Sequence, residues 1–178
     1  MQQIQGLPLT PFIYSLLLIF AVPTSAGPEK VAFPSGYQSW VLYTAVDRAD
    51  NKQVRHIYAS PGAIKAAKAG KPLPSGSVIS MEVYRAKVDE KGLPLKDAKG
   101  RFIKADLFGI FVMEKRTGWG AEYTEDLRNG EWEFARFTPE RKPHQPANSK
   151  PCFECHKPYG GQDFVITLPE LTGTPAPR

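Results

Sequence analysis

Cys152, Cys155 and His156 form a Cys-x-x-Cys-His motif with Phe153 and Glu154 between the thiols. Two thiols at this spacing can form thioethers to the two vinyl groups of one porphyrin, and the adjacent imidazole is then held in reach of the iron. The motif predicts one covalently attached haem c per chain, anchored by Cys152 and Cys155 with His156 as the proximal iron ligand. The chain has two cysteines in all, so none is left for a disulfide. A redox dithiol is disfavoured because no βαβ pattern surrounds the pair. A zinc site built from Cys152, Cys155, His156 and His144 has suitable ligand types but poor spacing.

The other side of the iron is less determined. Candidate sixth ligands are His56, His144, Met81 and Met113. His56 falls in a predicted strand, His144 in a proline-rich connector, and Met113 reads as core. If none binds, the iron is five-coordinate and open to a small ligand. An apolar pocket would then favour neutral diatomics over anions, because nothing in it solvates charge. Acid–base work on a substrate would need a distal group; Glu82, Glu114, Arg116 and Asp163 are available types. Twenty aromatic residues are ample to wall a macrocycle.

These residues need a frame. Seventeen prolines and fifteen glycines argue against a helical bundle. The pattern predicts an α+β fold, mainly β: an antiparallel sheet with a few short helices and the haem motif near the C-terminus. Strands are predicted over 40–46, 53–59, 77–88, 101–115 and 131–138. In the third, Ile79, Met81 and Val83 point one way and Ser80, Glu82 and Tyr84 the other. Trp132 and Phe134 share a face of the fifth. Gly109 marks a bulge or close approach, residues 89–100 a charged hairpin loop, and Thr117-Gly118 a turn ahead of Trp119. One helix is predicted before the motif, with Ser60 as N-cap, Pro61 at the first position, strong formers over 63–69 and Gly70 as the stop. A proline-rich connector over 139–151 leads to a short helix holding Cys152 to His156. Phe164 to Leu168 reads as a last apolar strand, and 169–178 as a loose tail.

Residues 1–26 read as a signal peptide, with an apolar run from Phe12 to Val22 and a small-residue cleavage site at Thr24-Ser25-Ala26. The run is short for a membrane span and lacks the usual positive flank. No cysteine stands at the cleavage point to take a lipid. Attaching haem to such a motif needs reduced thiols and a dedicated machinery, which bacteria run outside the inner membrane, so a periplasmic location is expected. The remainder, about 150 residues, is one domain long, with the haem domain placed over 27–168. No charged residue lies in the first 26, so the net charge of +5 belongs to the rest. It is interspersed rather than blocked, which suits a solvated surface and at most a weak preference for an acidic, exported redox partner. No aromatic-interleaved basic stripe suggests nucleic acid.

In order along the chain, several short motifs resemble the cytochrome P-460 and cytochrome c′-β family. Tyr37, Trp40 and Val41 resemble its opening Tyr-x-x-Trp-Val; Ile57-Tyr58-Ala59-Ser60-Pro61 resembles its strand-to-helix stretch; Gly76-Ser77-Val78 with Glu82 resembles its Gly-Thr-Val-x-x-x-Lys-Glu strand; Gly118-Trp119-Gly120 resembles its Gly-Trp turn; and Cys152 to His156, then Asp163-Phe164-Val165, resemble its haem motif and closing segment. The resemblance implies a β-rich, exported, haem-containing homodimer. One branch carries a lysine cross-linked to a haem meso carbon and oxidises hydroxylamine. The other lacks the cross-link and binds nitric oxide at a five-coordinate haem under an apolar, phenylalanine-rich cap. Aligned from Gly76 to Glu82, the cross-linking lysine falls at Met81, whose thioether supplies no amine. Lys87 lies roughly 20 Å further along the strand at about 3.3 Å per residue. The resemblance therefore implies an unmodified haem c, with Met81 against its edge, binding nitric oxide and, by the same chemistry, carbon monoxide.

Overall fold

The computed structural model describes residues 30–174. The signal-peptide expectation for 1–26 and the last four residues lie outside them. Five strands form one antiparallel sheet in simple order: β1 (Val41–Arg48), β2 (Gln53–Ala59), β3 (Val78–Ala86), β4 (Lys104–Lys115) and β5 (Trp132–Phe137). Three short α-helices accompany them: α1 (Pro61–Lys68), α2 (Lys150–His156) and α3 (Leu168–Thr172). The fold is α+β, mainly β, as the sequence predicts.

Alternation along the strands divides the sheet into two faces. One carries Ile57, Ala59, Ile79, Met113, Trp132 and Phe134, covered by α1, α2, α3 and the turn before α3 through Ala63, Ile64, Phe153, Leu171 and Val165. The other carries Ile110, Val112, Ala135 and Phe137 under Val31 and Tyr37. Ile79 and Met81 belong to the helix-covered side, whereas Ser80 and Glu82 are buried on the other, so the predicted phase of β3 holds.

Local chemistry explains the connections. In α1 Pro61 stands at the start, and Gly70, at φ +64°, ends it by donating to the Ala67 carbonyl. Ser60 occupies the N-cap position but does not cap; its hydroxyl accepts from the Val78 N–H at 3.1 Å and ties α1 to β3 instead. Gly109 serves both predicted purposes. The β3–β4 register shifts between Val83 and Tyr84, and a Cβ on Gly109 would stand 3.0 Å from the Phe137 carbonyl of β5.

Two expectations fail at the C-terminus. Phe164 to Leu168 forms no strand: Asp163 and Phe164 both take positive φ, 51° and 59°, and the following N–H groups bond within local turns. Nor is the segment after Pro169 loose as far as Thr174. Residues 168–172 form α3, with Leu171 only 1% exposed in the main core. An apolar run just ahead of a proline reads equally as a strand or as the lead-in to a helix, and the buried Val165 and Leu171 belong to the second. Leu171→Ala is expected to destabilise the protein by about 2–5 kcal/mol in a denaturant titration; a stability equal to wild type would restore the loose tail.

Candidate functional site

A cavity of about 340 Å³ lies between the helix-covered face of the sheet and the segment running from α2 to α3. The sheet contributes Val46, Ile57, Ile79, Met81, Phe111 and Met113. The C-terminal segment contributes Cys152, Cys155, His156, Val165, Ile166 and Thr167. Register makes the sheet wall orderly. Ile57, Met81, Phe111 and Arg136 form one rung across β2 to β5, and Ala59, Ile79, Met113 and Phe134 form the next.

Helix α2 is clamped from both sides. The Ser149 hydroxyl donates to the Phe134 carbonyl at 2.9 Å, and the fully buried Asn129 amide donates to the Phe153 carbonyl at 3.1 Å. Phe153 wedges between Tyr123 and Phe134, with ring centroids 4.7 and 4.8 Å away. One helical turn then brings residues 152, 155 and 156 onto a common face, and all three line the cavity.

His156 is oriented by its surroundings. Its Nδ1 lies 2.7 Å from the Phe164 carbonyl, which can only accept, so Nδ1 carries the proton and Nε2 keeps the lone pair. The Phe134 ring packs 4.8 Å from the imidazole. Burial pushes its pKa below the usual histidine value, partly offset by the Phe164 bond, so the neutral, ligating form prevails at neutral pH. Burial likewise pushes the Cys152 thiol up, with the Arg136 charge opposing.

The Phe164 carbonyl is itself fixed. Lys115 Nζ donates to both carboxylate oxygens of Asp163, at 3.0 and 2.8 Å, and Trp132 Nε1 donates to one of them at 3.3 Å. The Phe164 ring packs against Gly130, where a Cβ would come within 3.1 Å of it. Lys115 and Trp132, at neighbouring ends of β4 and β5, thus hold the left-handed turn that presents the carbonyl to His156.

A family model described as Cytochrome P460 matches residues 34–167. The chain belongs to the cytochrome P460 family. No curated protein matches the chain. Membership implies haem, and the cavity fits that group: an apolar wall, two thiols and a neutral imidazole with a free Nε2 converge on a space within the usual size range of a cofactor pocket. When bound, haem would supply an iron centre able to hold a small ligand. His144, the fourth ligand of the zinc alternative, does not line the cavity with Cys152, Cys155 and His156.

Within this cytochrome P460 domain the sequence candidates separate cleanly. Met81 and Met113 line the cavity; His56 and His144 do not. His56 lies on the opposite face against Tyr84, with ring centroids 5.6 Å apart. Glu82 also lies there, accepting hydroxyls from Tyr37 (2.8 Å), Tyr58 (3.1 Å) and Tyr84 (2.8 Å). Burial first, then this carboxylate, pushes Tyr58 up to about 12. Glu114 pairs with Arg116 and Asp163 with Lys115. None of the four acid–base candidates lines the cavity.

Sequence reasoning missed Phe111, which pairs with Met81, and Arg48, Arg55 and Arg136, which also line the cavity. The expectation of a pocket with nothing to solvate charge is corrected accordingly. The signal for Arg55 was present: it lies two residues from Ile57, on the same face of β2. Asp163→Asn is expected to cost roughly 1–3 kcal/mol, the worth of a partly buried hydrogen bond to a charged group. It should also weaken the Nδ1–H bond of His156, read from the imidazole N–H resonance. An unmoved resonance would mean that the turn holds without Asp163.

Proposed function

We propose that this chain is an exported, periplasmic c-type haem protein that binds a small neutral ligand, nitric oxide and also carbon monoxide, at a five-coordinate iron. Cys152 and Cys155 anchor the macrocycle, His156 Nε2 takes the proximal position, and Met81, Ile57 and Phe111 keep water from the bound ligand. One observation carries the reading: among the described residues, neither a carboxylate nor a lysine lines the cavity. Oxidising hydroxylamine releases protons as well as electrons and calls for a positioned base, and a lysine–haem bond calls for an amine. By the resemblance, Met81 takes the position of that amine. Export rests on the leader-like first 26 residues, and homodimeric assembly on the family resemblance. The electron donor is read as an exported redox protein.

A second reading has its own support. Met81 and Met113 both bring thioethers to the cavity, and either could close the sixth position, which would make the protein a simple electron carrier.

The optical spectrum of the ferrous protein before and after nitric oxide decides between them. A high-spin, five-coordinate spectrum with an ordinary c-haem Soret band that changes with nitric oxide is expected. A low-spin spectrum indifferent to nitric oxide would favour the electron carrier, and a strongly red-shifted Soret band would move hydroxylamine oxidation ahead. Met81→Lys tests the position directly. After the holoprotein variant is treated with hydrogen peroxide, a two-electron oxidant that takes up the meso hydrogen and one amine hydrogen as the N–C bond forms, mass spectrometry of its proteolytic fragments is expected to find haem linking the residue 81 peptide to the Cys152–Cys155 peptide. An unlinked residue 81 peptide would count against Met81 lying at the haem edge.

A further inference from the structure

The cavity is apolar in its depth and cationic at its rim. Arg48 and Arg55 reach it from β1 and β2, and Arg136 from β5. They are not equivalent. Arg48 already has a carboxylate, that of Asp50, at 2.6 Å. Arg55 has only the neutral Gln53 side-chain oxygen, at 3.0 Å, and Arg136 only the face of Phe111, 5.1 Å from its centroid. Among the described residues no carboxylate stands within ion-pair distance of either.

A half-buried guanidinium without an anion is costly. Burial, and next the charge of Arg48, push the Arg55 pKa down, the signature of a cation among too few anions. The rim therefore has an unmet demand for two negative charges. The two unpaired cations also stand apart, Arg55 on β2 and Arg136 on β5, with β3 and β4 between them. A protoporphyrin-derived macrocycle matches this division. It is an apolar disc with two propionate carboxylates, and each vinyl-bearing ring is flanked by one propionate-bearing ring.

The geometry points to Arg55 and Arg136 as the binding site for the two carboxylates of the tetrapyrrole. The assignment rests on the haem reading above. It also gives the rim a role in tuning. A carboxylate held by a guanidinium stays ionised to lower pH, and an ionised carboxylate beside the iron favours the oxidised state.

The test uses holoprotein and the pH dependence of its reduction potential. In the wild type the carboxylate-linked break in that profile should lie at low pH. Arg55→Gln and Arg136→Gln should each move a break upward by about one pH unit or more, the usual effect of losing an adjacent opposite charge. Arg48→Gln should move it less, because Arg48 is already committed to Asp50. If Arg55→Gln does not accumulate as holoprotein, Arg55→Lys reads the same break, expected between the wild-type position and that of Arg136→Gln. Profiles of both glutamine variants superimposed on wild type would overturn the assignment. Failure of the underlying reading looks different: acid–organic extraction would strip all haem from the wild-type protein, or find none, before any potential is measured.

Discussion

Side chains alternate across an antiparallel strand, and the contents of the cavity follow from the phase of that alternation. A slip of one residue in β3 would exchange Met81 for Glu82. It would put a carboxylate into the apolar space and a thioether beside Tyr37 and Tyr58. The phase is fixed from both sides at once. Ile79 packs in the helix-covered core, while Glu82 gathers the hydroxyls of Tyr37, Tyr58 and Tyr84 on the other face. That buried polar cluster is best understood as a register lock. A carboxylate that accepts three hydrogen bonds has no comparable alternative partners, so the strand cannot shift without leaving a buried charge unsatisfied.

The proximal side is built on the opposite principle. Between α2 and α3 the chain runs through a 3-10 helix (Lys157–Gln162) and turns and contributes no strand, and it holds two consecutive non-glycine residues in the left-handed region, each costing on the order of 1–3 kcal/mol. Such a segment holds its shape only when its surroundings over-determine it. Here they do: a bidentate ion pair from Lys115, an indole N–H from Trp132 and the ring of Phe164 against Gly130 all act within a few residues. What the strain secures is one carbonyl oxygen in one place, and with it the tautomer of His156.

The five strands, α1 and the helix around the haem motif were legible because each combines a periodic pattern with a chemically specific stop. Gly70 after α1 is an example. The stretch from Asp163 to Thr174 was not legible, because its conformation comes from tertiary partners remote in sequence. Asp163 bonds to Lys115, 48 residues away, and nothing local foretells a left-handed phenylalanine. The site divides along the same line. The thiols, the imidazole and Met81 could be named from motif and resemblance. Phe111 needed the β3–β4 register, which contains a bulge, and the arginines needed to be seen at one end of one face.

Tyr43 and Thr167 share a hydroxyl hydrogen bond of 2.6 Å across 124 residues, joining edge strand β1 to the segment that closes the cavity. The first strand is therefore tied to the turn just ahead of α3. The wall comes from five strands and the cover from the segment after them, so in chain order the strap follows the whole sheet. A chain that emerges N-terminus first presents its two thiols only after all five strands. Vectorial emergence would then leave an interval in which a prosthetic group can be laid against a finished wall before the strap is drawn over it.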